Sequence, residues 1–160
     1  MAVELDELDL RIVSLLLKEG RTPAAQIADQ IGLSRPAVAD RLEKLERQGV
    51  IRGTTAVVDP NAIGKAVTAF VAARGATMSP TGWRKFRDLM QRDEVLEVHT
   101  VAGDDCFLMK VRTNTIGDLN ALVQSLTAFP MSLSTRTTIV METHCEKVGG
   151  IDLGGTEATR

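Results

Sequence analysis

The sequence predicts an α+β protein with a helical first third and a remainder in which strands and helices alternate. Apolar residues recur at helical spacing as far as residue 48, whereas β-rich runs alternate with amphipathic segments after residue 65. Asp59-Pro60-Asn61 interrupts both patterns. We therefore expect one domain at residues 1–59, a hinge at 60–65, a second domain at 66–148 and a flexible tail at 149–160.

The composition is that of a soluble globular protein, with 44% hydrophobic and 25% charged residues among 160. Aromatic residues make up only 3%, which predicts an aliphatic core and argues against a single-strand nucleic-acid binder built on stacked rings. Because no apolar run could span a bilayer, we expect a cytoplasmic protein without a membrane partner. Cys106 and Cys145 lie far apart without metal-ligand spacing, so neither a disulfide, a metal nor a cofactor is expected.

The first domain reads as three helices. The first is amphipathic and ends at Gly20. Thr22-Pro23 is typical of an N-cap followed by proline at the first helical position, and Gly32 ends that second helix. Ser34 caps the third helix, and Gly49 ends it. Residues 50–53 and 54–59 are predicted as two short strands that form a wing-like hairpin.

The second and third helices have the pattern of a helix-turn-helix. Ala28 is small where the helices cross, Gly32 permits a positive φ in the turn, and Val38 packs back between the helices. Charges are sorted along the chain, because residues 34–53 have a net charge of +2 and residues 1–20 a net charge of −3. A glycine-joined helix pair without a nucleic-acid role is the plainer alternative, but the basic third helix favours double-stranded DNA as the partner.

The start of the third helix supplies the candidate DNA contacts. Ser34 and Arg35 are expected nearest the floor of the major groove, and Ala37 is small enough to approach a thymine methyl. Arg41 is expected one turn further along the outer face, where it reads guanine or holds phosphate. The complete predicted set of DNA-binding residues is Thr22, Ser34, Arg35, Pro36, Ala37, Asp40, Arg41 and Lys44.

The second domain is predicted as a ferredoxin-like βαββαβ fold, with two helices on one antiparallel sheet. Trp83, Phe86, Leu89 and Met90 are expected to form the buried stripe of its first helix. The elements are predicted at residues 66–74 (strand), 80–92 (helix), 95–101 (strand), 106–112 (strand), 116–126 (helix, ended by Phe129-Pro130) and 134–143 (strand).

A glycine turn at Gly103-Asp104-Asp105 joins two of these strands. It suits an ordinary hairpin, which the spacing alone favours, or a site for the ammonium group of a small ligand. His99 and His144 are isolated, so the sequence predicts no catalytic triad and no metal site.

The two halves together resemble the Lrp/AsnC ("feast/famine") family of prokaryotic regulators as far as about residue 142. The resemblance lies in Leu5-Asp6-Glu7-Leu8-Asp9 with Ile12, in residues 33–38 and 41–46, and in Gly49-Val50-Ile51-Arg52-Gly53 with Val57-Val58-Asp59-Pro60. It implies a DNA-binding transcriptional regulator that forms homodimers and higher assemblies such as octamers. It also implies that an amino acid or related metabolite binds between subunits.

The resemblance further implies a ligand loop with the pattern Gly-x-x-Asp. Here Gly103, Asp104 and Asp105 match its start, but Cys106 stands at the acidic position. Three readings stay open: Asp105 substitutes, the ligand differs, or the site is idle. By the same analogy His99 and Thr100 would line the pocket, and Thr135 and Thr137 would come from an adjoining subunit.

Two rival functions fit the same architecture. Some haem-pathway decarboxylases resemble this family in both domains and use a pocket histidine, for which His99 is the candidate. The basic third helix argues against that enzyme, which would have no need of a basic recognition face. The other rival is an effector-independent architectural DNA-binding protein.

Overall fold

The computed structural model describes residues 3–75, 80–127 and 134–147. The chain divides into two compact units, of which the first includes residues 3–57 and 145–147 and the second the described residues between 58 and 144. The helices of the first unit are α1 (Glu7–Lys18), α2 (Ala24–Ile31) and α3 (Arg35–Arg47). Their aliphatic core is formed by Ile12, Ile27, Ala28, Ile31, Val38 and Leu45.

Local capping sets the start of α1 and α3 and the end of α2. Asp6 and Asp9 form a capping box at α1, in which the Asp9 N–H donates to Asp6 Oδ1 at 2.7 Å. Gly32 ends α2 with a φ of 74°, a left-handed conformation that favours glycine. Ser34 caps α3 by accepting a hydrogen bond from the Ala37 N–H, as predicted.

Two sequence predictions for this unit are wrong. The N-cap of α2 is Pro23, because the Thr22 hydroxyl donates instead to the Glu19 carbonyl at 2.7 Å. The two wing strands are not formed between residues 50 and 59. A two-stranded hairpin is marginal without a surface to pack on, and Val57 and Val58 are 76% and 52% exposed.

The second unit is one antiparallel sheet with two helices, as predicted. Its elements are β1 (Val67–Arg74), α4 (Pro80–Met90), β2 (Val95–Thr100), β3 (Phe107–Thr113), α5 (Ile116–Thr127) and β4 (Ser134–Ile139). The strand order β2-β3-β1-β4 is that of a ferredoxin-like fold. Alternate residues of the central strands meet the helices, and they form the core with Phe86, Leu89, Leu119, Leu122 and Leu126.

Two details of this unit differ from the predictions. Trp83 is 45% exposed because the buried stripe of α4 runs through Gly82, Phe86 and Leu89, and the Trp83 ring meets those of Phe86 and Phe107 edge-to-face at 6.0 Å between centroids. β4 was predicted to reach residue 143 but ends at Ile139, close to where its antiparallel partner β1 begins: the Val140 N–H still donates to the Thr68 carbonyl at 2.9 Å, and β1 starts at Val67. The predicted end of α5 at Phe129-Pro130 and the tail from residue 149 lie outside the described residues.

Candidate nucleic-acid interface and ligand loop

The turn between α2 and α3 has the geometry that the motif requires. Ala28 and Val38 are buried between the helices, and the Ala28 carbonyl accepts from the N–H groups of Gly32 and Leu33 at 3.0 and 3.1 Å. These contacts hold α3 against α2 at its first turn. The helix-turn-helix predicted from Ala28, Gly32 and Val38 is therefore present.

The first turn of α3 is open to solvent. Ser34, Arg35 and Pro36 are exposed, and Asp40 is exposed one turn later. Within the described ranges Arg35 makes no ion pair, so its guanidinium is available to an external anion. A helix N-terminus adds unpaired N–H groups and a partial positive charge at the same place.

Arg41 does not lie free on the outer face of α3, and the prediction that it does is wrong. Its Nη1 contacts Asp6 Oδ2 and Asp9 Oδ1, both at 2.6 Å, and its side chain is only 25% exposed. Lys44, one turn later, contacts Asp9 Oδ2 at 3.1 Å. Both cations therefore face α1, where helical periodicity alone had suggested a solvated position.

Asp9 is the buried centre of this cluster, with 0% of its side chain exposed. Burial acts to raise the pKa of Asp9, but the hydrogen bonds from Lys44 and Arg41 outweigh it and lower the pKa below the ordinary value. The Asp9 backbone and then Arg41 lower the pKa of Asp6, and the same carboxylates raise the pKa of Arg41. Asp6, Asp9 and Arg41 are thus held in their charged forms.

The remaining predicted DNA contacts are not all equally placed. Thr22 is half-buried and its hydroxyl is engaged by Glu19, and Ala37 is half-buried beneath the exposed first turn. Sequence reasoning missed the partners Asp6 and Asp9. The signal was present as a carboxylate pair three residues apart in α1, matched by a cation pair three residues apart in α3.

The predicted ligand loop joins β2 to β3. Gly103 has a φ of 131°, and the next residue, Asp104, is exposed. Cys106 is hydrogen-bonded to the end of β1 and to the residue that follows it. Its N–H donates to the Ala73 carbonyl at 2.9 Å, and its Sγ donates to the Gly75 carbonyl at 3.5 Å. It packs against the core as a small hydrophobe, as expected.

Asp105 has a partner that sequence reasoning did not name. Arg136 of β4 donates from Nη2 to Asp105 Oδ2 at 2.8 Å, reaching over the end of β1. Arg136 is 76% exposed and Asp105 26%. The available signal was the position of Arg136 between two residues already singled out, Thr135 and Thr137.

The register shows how far apart the other predicted ligand residues lie in one chain. Thr100 is opposite Phe107, which is opposite Ala73, which is opposite Thr135. At about 4.8 Å per strand, Thr135 lies roughly 14 Å from Thr100. Thr137 pairs with Val71, two residues further from the loop end. The two threonines and Thr100 do not meet within a single chain.

His99 lies on the face of β2 that carries Glu97, and its Nε2 is 3.2 Å from Glu97 Oε2. Both side chains are at least half exposed. In the part of the chain that the structure describes, no group of three or more potential ligands could hold a metal ion. No helix among those residues is long and apolar enough to cross a membrane.

Both units match known protein domains. Residues 5–52 match winged helix-turn-helix DNA-binding domains, and residues 68–149 match the Lrp/AsnC ligand binding domain. With the open first turn of α3, these matches define a DNA-binding transcriptional regulator of the helix-turn-helix type that carries a ligand-binding domain.

Relatives and solved structures narrow the class. The chain is 34% identical to the HTH-type transcriptional regulator FL11 of Pyrococcus abyssi, over 91% of this chain and 95% of that protein. It is 32% identical to the leucine-responsive regulatory protein of Escherichia coli K12, over 87% and 86% of the two chains. The leucine response regulatory protein LrpA of Mycobacterium tuberculosis superposes with a TM-score of 0.77 at 30% identity, covering 89% of this chain and 97% of that one. The chain belongs to the Lrp/AsnC family of transcriptional regulators, and the resemblance inferred from its sequence is confirmed.

A more distant structure agrees in fold. A transcriptional regulator from Neisseria meningitidis, solved as a complex with L-Met, superposes with a TM-score of 0.82 at 19% identity. It covers 90% of this chain and 94% of its own. At that identity the likeness concerns the fold alone.

Proposed function

We propose that this regulator binds DNA sequence-specifically through the first turn of α3 and responds to an α-amino acid bound at the loop after β2. The observation that carries the second part is the Asp105–Arg136 ion pair, with 2.8 Å between Nη2 and Oδ2. A carboxylate and a guanidinium side by side match the two charged ends of a free amino acid. The activity is regulation rather than catalysis, and it takes place in the cytoplasm.

The DNA part of the proposal rests on exposure and charge. Arg35 is the exposed cation at the start of α3, and Ser34 and Pro36 flank it. Asp40 extends the exposed contact surface of α3 by one turn. Ala37 and Thr22 are half-buried, so we expect Ala37 to meet only a small group on the DNA and Thr22 to meet only a phosphate. In a dimer, two such turns read half-sites about 34–36 Å apart or multiples of that distance.

The effector part assigns a role to each charge at the loop. Asp105 takes the ammonium that the family pattern gives to the position of Cys106, and Arg136 takes the carboxylate. Cys106 cannot supply that charge, because its thiol points to the Gly75 carbonyl. The relative from Escherichia coli is named a leucine-responsive regulatory protein, which supports an amino acid as the class of ligand.

A homodimer that assembles further, as far as an octamer, completes the proposed site. One face of the sheet carries the helices, and the opposite face leaves Phe70 40% exposed. Pairing of two subunits through this face would cover it together with His99 and Arg136, which the register places on the same face. Thr100, Thr135 and Thr137 share the helix-bearing face with Phe107, Ala73 and Val71, so Thr135 and Thr137 of an adjoining subunit would reach the loop only past the edge of the sheet. Ligand binding then shifts DNA affinity if the ligand prefers one assembly state over another.

A thermal-shift screen of the proteinogenic amino acids tests the effector, followed by DNA-binding titrations with each hit. We expect at least one amino acid to raise Tm in the wild type and to lose that effect in Arg136→Gln. Arg84→Gln removes an exposed arginine from α4 and serves as the matched control. A hit that stabilises wild type, Arg136→Gln and Arg84→Gln equally would contradict the assignment of Arg136.

A further inference from the structure

We propose that Asp9 is a positioning residue for DNA recognition: with Asp6 it holds Arg41 and Lys44 against α1, so that both cations orient α3 instead of contacting DNA. The inference rests on the proposed placement of the first turn of α3 at the DNA. It assigns a task to the two cations of α3 that face α1, whose side chains are 25% and 37% exposed.

The four charges form a matched ladder between two helices. Asp6 and Asp9 are three residues apart at the start of α1, and Arg41 and Lys44 are three residues apart in α3. Residues at this spacing share one face of a helix. Three contacts of 2.6, 2.6 and 3.1 Å join the two faces, so they oppose both rotation and sliding of α3 relative to α1. Aliphatic packing alone has no such directional preference.

Burial makes the arrangement hard to undo. The Asp9 carboxylate is fully shielded from water, and its partners are the two cations and the more distant Asp6 N–H at 3.4 Å. If Arg41 or Lys44 turned toward a phosphate, Asp9 would keep its charge in a buried position with fewer partners. The cations are therefore retained by Asp9 when DNA is near.

A small tilt of α3 at the ladder would displace the DNA-contacting turn at the start of the helix. Arg35 lies six residues before Arg41, which is about 9 Å along the helix axis. A tilt of α3 by about 10° at the ladder would shift Arg35 by roughly 1.6 Å, whereas recognition groups must hold within about 0.5 Å. Loosening the ladder should cost sequence discrimination before it costs general attraction to DNA.

The experiment uses the whole 160-residue chain and two probes. One is a duplex selected by the wild type from a random-sequence library, and the other is a random-sequence duplex of equal length. In Asp9→Asn we expect affinity for the selected duplex to fall about tenfold, as for one lost base contact. We expect affinity for the random duplex to rise, with a steeper salt dependence, because the released Arg41 and Lys44 become available to phosphates.

The matched control is Glu7→Gln, which removes the same charge from an exposed position in the first turn of α1. Asp6→Asn, half exposed, should shift both affinities in the same directions as Asp9→Asn but by less. If Asp9→Asn behaves like Glu7→Gln, or if it weakens binding to both probes equally, the positioning role is wrong.

Arg41→Gln keeps the inference testable even if Asp9→Asn does not fold. A positioning role predicts weaker binding to the selected duplex with an unchanged salt slope. A slope smaller by about 1 would instead identify Arg41 as a phosphate contact and overturn the inference. Failure of the wild type to select any duplex, or unchanged binding by Arg35→Ala, would count against the proposed function itself.

Discussion

Two charge clusters of this regulator use the same chemistry in opposite surroundings. Asp9 of the first unit is fully buried beneath Arg41 and Lys44, whereas Asp105 of the second unit meets a single, 76% exposed arginine. A buried carboxylate needs its cations permanently, because the cost of leaving it unpaired is large. A pair whose arginine is largely exposed gains little from its own contact, so a ligand can replace either partner. Burial therefore separates a structural device from a candidate binding site.

The largest effect should follow from emptying the buried cluster. Asp9→Ala removes the carboxylate that Arg41 and Lys44 share, and the lost charge-assisted hydrogen bonds should lower the free energy of unfolding of the first unit by about 1.5–3 kcal/mol. Urea unfolding followed by circular dichroism measures it. Glu7→Ala, at an exposed position of the same turn, should stay within about 0.5 kcal/mol. Equal effects of the two variants would mean that the cluster contributes no more than a surface charge.

Acid should weaken the first unit through the same carboxylates. The pKa values of Asp6 and Asp9 are lower in the folded protein than the ordinary value of 3.8. Carboxyls shifted in this direction stabilise the fold above their unfolded pKa, and the stabilisation is lost as the pH falls from about 3.8 through the lower folded values. Tm measured from neutral pH to about pH 2 should fall less steeply in an Asp6→Asn/Asp9→Asn variant than in the wild type. Parallel pH profiles would contradict the pairing.

Arg35 is a third case, a cation without an ion-pair partner among the described residues. Arg35→Ala should weaken binding to the selected duplex by about 1–3 kcal/mol if it contacts a base. Its Tm should remain that of the wild type, which separates it from the Arg41 variants. Mobility-shift titrations with a parallel thermal scan test both statements, and an unchanged affinity would remove Arg35 from the DNA-binding set.

The smallest stability effect is expected at the exposed pair. Arg136→Gln should change the free energy of unfolding by less than about 1 kcal/mol, the range of surface ion pairs. Chemical denaturation of the ligand-free protein measures this change. A loss several times larger would show that the Asp105–Arg136 contact is structural, which would remove it as a candidate site for the effector.

The fold was predictable because its signals are local. The helix start at Ser34, the turn at Gly32 and the alternating burial along β3 all depend on neighbours a few residues away. The two errors in the first unit have different causes. Thr22 was assigned as the cap of the following helix, but its hydroxyl bonds instead to the Glu19 carbonyl three residues earlier, a competing local partner. The wing strands depended on a surface to pack against, and Val57 and Val58 have none.

The functional sites divide into features that sequence spacing predicts and contacts that only the folded chain creates. The sequence by itself determined the helix-turn-helix, its open first turn at Ser34 and Arg35, the loop at Gly103 and the ferredoxin-like order, because spacing, capping and turn chemistry specify them. Only the tertiary structure decided that Arg41 and Lys44 form ion pairs with Asp9 and that Arg136 forms one with Asp105. Periodicity states which face of an element a charge occupies, whereas the energy of that charge depends on what another element brings within about 3 Å and on how much water remains.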